Sequence, residues 1–412
     1  MEDITAAVKQ LYNTYPFPPD PLSDQPPPGY NWRWCWQTAY HFCTGQTPEN
    51  QKVRILDAGC GTGSSTEYLI TLNPHAEVLG IDLSEGAIRV AKERCSRSGV
   101  STVGTPVPEF RRLSLYSVDQ LPGQFDFINC VGVLHHLPDP IRGLQTLALM
   151  LSPCGLMLIF VFAELCRWEI RLMQEAIRLL RGTMPDSDYT DGVKIGRQLF
   201  ASLPEDNRLV KYESSRWALE NQRDECFADM YVHPQEIDYN VGTLFDLIEA
   251  SGLEFIGFSN PGYWQLERLI GKAPDLMRRT EELSDLQRYR LVELLDPQIS
   301  HYEFFLARPP LTFVHWSEDD DLLNAMPQRS PCLSGWPSQN LFDYDYQLVN
   351  LSEVEFAFME ACEVNSQGQA SSQDSKPWIG RTVEDILKQV KFDLDGVRSL
   401  HARQLILLSQ QR

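Results

Sequence analysis

Val53-Arg54-Ile55-Leu56-Asp57-Ala58-Gly59-Cys60-Gly61-Thr62-Gly63 is the stretch that decides the fold. A short apolar run, 53–58, leads straight into a turn with three glycines, and 64–72 then carries helical periodicity. Glycine permits the tight turn and a close backbone approach, and the helix N-terminus supplies free N–H groups, so the unit is built to meet a nucleotide-like ligand. Two details narrow that ligand. A dinucleotide fingerprint needs G-x-G-x-x-G/A, and here the third small position is Ser64. Asp57 also stands directly before the turn, where a carboxylate repels a pyrophosphate and suits a cationic ligand.

Working outward, 78–81 is a second strand ending at Asp82, 19 residues beyond Gly63. A carboxylate there can accept both ribose hydroxyls. Helix 85–96, strand 110–115, strand 125–131, helix 141–151 and strand 156–162 follow. Strands alternating with helices predict a parallel sheet with helices on both faces. Residues 165–238 break the pattern with one helix, at 167–181, and then a polar, irregular region, which reads as an insertion. The alternation resumes with helix 241–250, strand 253–258, a charged helical stretch 268–295 and strand 302–306. After Pro309-Pro310 it stops. The acidic run Glu318-Asp319-Asp320-Asp321 reads as a solvated loop, and 364–376 as a flexible polar spacer. Helices expected at 351–362, 383–390 and 395–408 suggest a small winged-helix-like appendage.

Composition excludes several classes. The 412 residues suggest two or three units. Thirty-six basic against 56 acidic residues give net charge −20, which argues against a nucleic-acid partner. None of the ten cysteines forms C-x-x-C, so reduced thiols of a cytoplasmic protein are expected, with no disulfide framework and no metal site. MEDITAAVKQ at the start lacks the basic and apolar regions of a signal peptide. The uncharged stretch 143–163 is long enough to span a bilayer, but Ser152-Pro153-Cys154-Gly155 interrupts it. A helix end, a turn and a buried strand are expected there, and no membrane partner.

DAGCGTG at 57–63, GID at 80–82 and FDFINCVGVLHHLPDP at 125–140, in this order and spacing, resemble the class I S-adenosylmethionine-dependent methyltransferases. The resemblance covers roughly 50–165 well and 240–310 more weakly. It implies an α/β fold: a doubly wound, mostly parallel Rossmann-like sheet with an inserted helical segment and a small winged-helix-like C-terminal domain. The expected division is an N-terminal aromatic lid or packing segment 1–48, a cofactor-binding core 49–164, an inserted lid or substrate segment 165–238, the rest of the core 239–310, and a linker with the C-terminal domain 311–412. The implied cofactor is S-adenosyl-L-methionine. The resemblance places the loop of Gly59, Cys60, Gly61 and Gly63, with Asp57 beneath it, on the methionine part, and Asp82 on the ribose. It packs Leu83 on the adenine, sets Ser114 and Leu115 at the adenine edge, and lines the methionine side with Cys130 and Val131. Many members carry an acid after strand three. Here Ser114-Leu115-Tyr116 stands there, leaving that contact to backbone or hydroxyl.

The implied reaction is an in-line displacement at a methyl carbon. Alignment alone can contribute about 7–11 kcal/mol, and the acceptor needs a hydrogen-bond acceptor beside it to free a lone pair. His135 and His136 follow strand four at the sheet's C-terminal edge, where open α/β sheets bind ligands; one of them could equally cap the turn or pack under the helix. Asp229, Tyr231, His233 and Asp238 lie in DECFADMYVHPQEIDYN, where the first three share one face if the segment is extended; the alternative is an exposed polar turn before Pro234. His233, Tyr231, Asp229 and His135 are the expected catalytic group. Tyr15 and Phe17, or Trp32 and Trp34, form either a lid or ordinary domain packing. Asn260-Pro261-Gly262-Tyr263 is similar to the NPPY signature of amino-methylating enzymes but follows a late strand instead of strand four.

Three substrate readings follow. The insertion and appendage are similar to modules attached to prokaryotic protein methyltransferases. The N-terminal YNTYPFPPDPL and the stretch ADMYVHPQEIDYNVGTLFDLIEASGLEFIGFSNP resemble cyanobacterial members. Among these are the phycobiliprotein asparagine methyltransferases, which methylate a side-chain amide; the resemblance implies a phycobiliprotein β-subunit as partner. The second reading is a small-molecule methyltransferase of quinone or natural-product type, which shares the FDFINCVGVLHHL motif. The third, a binding module without catalysis, has nothing in the intact glycine turn to favour it.

Overall fold

Largely buried apolar runs become β1 (Arg54–Ala58), β2 (Glu77–Asp82), β4 (Phe125–Val131), β5 (Leu151–Phe162) and β7 (His301–Ala307), while the less buried β3 (Glu109–Arg112) and β6 (Glu254–Phe258) are edge strands. The computed structural model describes residues 2–50, 52–100, 106–182, 189–363 and 380–411. The strands form one sheet in the order β3-β2-β1-β4-β5-β7-β6, parallel except for β7, which runs antiparallel to β5 and β6. Leu144 and Leu147 of helix Pro140–Met150 and Leu244, Leu247 and Ile248 of helix Val241–Ser251 share a core with Ile128, Met157 and Ile159 of the sheet. The strand order reverses between β1 and β4, which opens a crevice at their C-terminal ends. The expected doubly wound, mostly parallel α/β sheet is therefore present.

Local departures have identifiable causes. The third strand stops at Arg112, short of Ser114 and Leu115, because the Ser114 side chain accepts from the Tyr116 N–H (3.3 Å) and caps a 3₁₀ turn, Leu115–Gln120. Ser152 to Gly155 make a bulge inside β5 instead of a turn before it. Cys154 has φ 60, and pairing with β4 jumps from Phe125↔Leu151 to Phe127↔Leu156. Among the described residues, no helix is long and apolar enough to cross a membrane. All ten cysteines are free thiols, with only Cys154 exposed and Cys226 half-buried.

The insertion is more ordered than its polarity suggested. After helix Trp168–Arg181 come helices Tyr189–Ser202, Arg208–Arg216 and Asp224–Phe227 and a π-helical turn, Ala228–Val232. Ile170, Met173, Ile177, Val193, Phe227 and Tyr231 form a second core, joined by Leu11 of the N-terminal helix Glu2–Thr14. A sparse apolar stripe was enough, because it closes on a partner stripe far away in sequence.

The chain divides into two units: Met1–Pro27, Val53–Thr71 and Ala76–Pro310 form the first, and Pro28–Lys52, Leu72–His75 and Leu311–Arg412 the second. Residues 28–52 thus group with the C-terminal part. Tyr30 stacks on Tyr346 (ring centroids 4.5 Å) and Trp32 meets Tyr344 edge-on (6.0 Å). The Trp34 carbonyl accepts from Asn73 (2.8 Å). Trp32 is core here and Trp34 is tied within the same unit. The second unit also holds β8 (Met326–Arg329), β9 (Asn340–Phe342), β10 (Leu348–Asn350) and β11 (Ile406–Ser409), paired as β9 with β10 and β8 with β11. Besides Trp36–Thr44, its helices among the described residues are Asp319–Asn324, Glu353–Ala361, Val383–Leu387 and Leu394–Ala402. The expected helix 395–408 ends early because Gln404 takes φ 53, and the apolar run beyond it is buried as β11. The acidic run expected as a loop opens the first of these helices, where three aspartates complement the N-terminal dipole. The spacer 364–376 lies outside the described residues.

Candidate active site

The glycine turn is held from both sides. Gly61 has φ 51, and a Cβ there would stand 2.3 Å from the Phe17 carbonyl oxygen, so only glycine admits the chain that crosses it. Thr62 N–H donates to Phe17 O (3.1 Å), the Thr62 hydroxyl to Pro18 O (2.6 Å), and the Ser64 hydroxyl to Asp20 Oδ2 (2.7 Å). Buried Arg94 donates to the carbonyls of Thr62 (3.0 Å), Pro21 (3.1 Å) and Asp20 (2.7 Å). Residues 17–21 are therefore a strap fastened over the turn. The segment of Tyr15 and Phe17 meets the turn through the Phe17 and Pro18 carbonyls.

Asp82 sits at the mouth of the crevice. Gly61 N–H donates to its Oδ2 (3.0 Å) and Ser84 N–H to its Oδ1 (2.7 Å). Removal from water pushes its carboxyl up, and the backbone donors of Ser84 and Gly61 oppose that. Leu83 is half-buried beside it. Asp57 is sealed behind the turn. Asn129 donates to its Oδ1 (2.7 Å), and the hydroxyls of Ser65 (2.7 Å) and Thr66 (2.5 Å) to its Oδ2. Burial raises its carboxyl, against the hydrogen bonds from Thr66, Asn129 and Ser65. It braces β1 against β4 and the following helix.

Cys60 and Cys130 are buried thiols pushed up by that burial, so their side chains offer no lining; what they can present is backbone. Leu115 is buried in the main core and Val131 half-buried at the end of β4. Just beyond, Gly132 has φ 77, and nothing lies within 4 Å of where its Cβ would stand. Open space past β4, a carboxylate placed for vicinal hydroxyls, and two acids that make the turn negative fit a nucleoside carrying a cationic sulfonium. Asp82→Ala is expected to weaken cofactor binding by about 1–3 kcal/mol through lost hydrogen bonds to a charged group. Calorimetry showing unchanged affinity would remove Asp82 from the site.

A second cluster stands on the other side of Asp82. Tyr12, whose carbonyl accepts from the Ser84 hydroxyl (3.1 Å), donates its own hydroxyl to Asp229 Oδ1 (2.8 Å). His136, in the 3₁₀ turn Leu134–His136 after β4, stacks on His233 (ring centroids 3.7 Å). The Tyr12 ring lies 5.6 Å from His233 and 6.4 Å from His136. Burial pushes His136 down, against the charge of Asp229, and pushes His233 well below its usual value. Burial raises the Asp229 carboxyl, with His136 and the Tyr12 hydrogen bond opposing. Ligating atoms of His136, Asp229 and His233 lie within 4.8 Å of one another, close enough to hold an ion. However, the Gln235 N–H donates to His233 Nδ1 (3.1 Å), which leaves the ring proton on Nε2. Only His136 and Asp229 then present lone pairs, a poor donor set for a metal and a good one for hydrogen bonding.

Three expected site residues are elsewhere. His135 is fully buried against Phe162 (4.0 Å), neither ring nitrogen has a hydrogen-bond partner, and burial pushes it well below its usual value. Neighbours in a 3₁₀ turn point about 120° apart, so His136 faces the cluster and His135 the core. Tyr231 donates to Glu213 Oε2 (2.5 Å) and packs on Phe227 (5.0 Å) and Phe200 (5.3 Å). The segment is helical, not extended, so 229 and 233 share a side and 231 turns away. Asp238 pairs with Arg167 (3.3 Å) and Arg171 (3.8 Å), and burial and the Glu236 charge push it up to about 8. Asn260-Pro261-Gly262-Tyr263 makes a 3₁₀ turn after β6, with Tyr263 exposed. Tyr12 was missed: it is 217 residues from Asp229, and nothing local marks it beyond the helical pattern of 2–14.

The family described as "Methyltransferase domain" matches residues 56–157. An uncharacterized protein of Synechococcus sp. is 56% identical over 407 residues, covering 99% of this chain and 94% of that protein. An uncharacterized phycocyanin operon protein W of Pseudanabaena tenuis is 71% identical over 94 residues, 23% of this chain and 89% of that protein. The structure of PKMT2 from Rickettsia typhi superposes with TM-score 0.59 at 14% identity, over 93% of this chain and 77% of that one, and so shares the fold. The glycine turn, the acid ending β2, the strand order and these matches agree: the chain belongs to one family with the Synechococcus protein, within the class I S-adenosylmethionine-dependent methyltransferases.

Proposed function

We propose that the chain methylates a protein side chain, the amide nitrogen of an asparagine in a phycobiliprotein β-subunit. The observation that carries the phycobiliprotein reading is the 71% identity to a protein named for a phycocyanin operon. The site supports a nitrogen acceptor: Asp229 and His136 offer lone pairs beside the cofactor crevice. When bound, S-adenosylmethionine supplies an electrophilic methyl group on a sulfonium. Asp82 and the glycine turn hold and orient the nucleoside end, and the strap 17–21 shields the turn from water. Asp229 and His136 accept the hydrogen of the acceptor nitrogen, which frees its electron pair.

Incubation with methyl-labelled cofactor and fractionated extract of a phycobiliprotein-containing cell tests this. Label is expected in a protein band that comigrates with the β-subunits. Label in the organic layer alone would replace this reading with the quinone or natural-product one.

A further inference from the structure

We infer that the backbone of Gln235 holds His136 and His233 in opposite tautomers, and that the pair reads a planar primary carboxamide. This deepens the protein-side-chain reading above and rests on it. The Gln235 carbonyl lies 3.0 Å from His136 Nδ1 and so takes its proton, leaving the His136 Nε2 lone pair free. The N–H of the same residue donates to His233 Nδ1 (3.1 Å), so His233 carries its proton on Nε2, a buried atom without a hydrogen-bond partner. The rings are stacked 3.7 Å apart, 27° from parallel, with both Nδ1 atoms on Gln235. With both Nδ1 atoms engaged on Gln235, what the rings have left to offer is their Nε2 atoms, one as acceptor and one as donor, in a cluster whose ligating atoms lie within 4.8 Å of one another. Asp229, oriented by the Tyr12 hydroxyl, adds a second acceptor.

Each side-chain class meets this set differently. An ammonium has donors only and would face the His233 N–H with another N–H. A carboxylate has acceptors only and would face Asp229 and the His136 lone pair. A primary carboxamide satisfies all three, its oxygen on His233 and its NH₂ on His136 and Asp229. A site built for a hydrogen-bond pattern rejects what leaves its buried groups unpaired. In the transfer, the amide nitrogen forms the new C–N bond as the S–C bond breaks. The electron pair of that bond leaves on sulfur as a thioether, and the displaced N–H proton passes to the Asp229 carboxylate.

Two measurements on the full chain test the inference. Long-range ¹H–¹⁵N spectra of histidine-labelled protein, with signals assigned through His136→Phe and His233→Phe, should show His136 protonated on Nδ1 and His233 on Nε2 at neutral pH. The same tautomer in both rings, or a charged ring, would overturn it. Should a variant fail to fold, the wild-type spectrum assigned through the other variant still decides. Where His233→Phe folds, turnover should fall by about tenfold or more with cofactor affinity unchanged; full turnover would overturn the recognition role. Second, protein labelled from the methyl-tritiated cofactor is hydrolysed in acid. Labelled methylamine is expected, because an N-methyl carboxamide releases it. Acid-stable methyl-lysine, or methanol released by base from an ester, would overturn the carboxamide inference and leave a protein methyltransferase standing. Label confined to small molecules would overturn the protein-substrate reading itself.

Discussion

Asp229→Asn is expected to lower kcat by about 10²–10⁴-fold, the range for loss of a positioned general base, with cofactor affinity unchanged. The substitution keeps the volume and an oxygen to accept from the Tyr12 hydroxyl, while it removes the charge and basicity and turns the other acceptor oxygen into an NH₂ donor. Stability should move the other way. Burial raises the folded-state pKa of Asp229 above its unfolded value. Between those two values the folded state holds the proton more tightly, so stability falls as pH rises through that window. Above that window the ionised carboxylate is a net cost that asparagine lacks, and there the variant should unfold at the wild-type temperature or above it. With Asp229 acting as the proposed base, the acid limb of the wild-type reaction should lie above the ordinary carboxylate range, and the variant should lack that limb. Wild-type turnover at pH 7 in Asp229→Asn would take the carboxylate out of the chemistry.

Arg94→Met should cost about 3–5 kcal/mol of stability, the range for leaving a buried charge without its partner. Arg94 lies 3.8 Å from Glu67, both side chains are buried, and Glu67 Oε1 has no hydrogen-bond partner of its own. Methionine keeps the apolar stem but gives up the three carbonyls of Thr62, Asp20 and Pro21. The strap then loses its central fastening over the glycine turn. Chemical denaturation should report the lost stability, and calorimetry a weaker hold on the cofactor. Denaturation at the wild-type midpoint would show that the strap is held by its contacts with Thr62 and Ser64 alone.

The cofactor side was legible because its signals are local. The turn, the acids at 57 and 82 and the strands that carry them all fall within residues 53–82, and the period of a buried strand or an amphipathic helix shows in any short window. Element ends were less legible where one residue decided them, as with the Ser114 cap and Gln404 at φ 53. The acceptor side was half legible. Asp229 and His233 were expected, but an extended segment would have aligned Tyr231 with them, and the π-helical turn aligned His136 and Tyr12 instead.

The amino-acid sequence by itself determined the sheet, the glycine turn and the class of ligand that turn accepts, since each follows from backbone chemistry repeated at short range. Only the tertiary structure decided which histidine of 135 and 136 is buried, that Tyr12 supports Asp229, and which nitrogen of each imidazole carries a proton. Those outcomes depend on the core closing over one ring and on the Gln235 backbone reaching two others, contacts between residues as much as 217 positions apart.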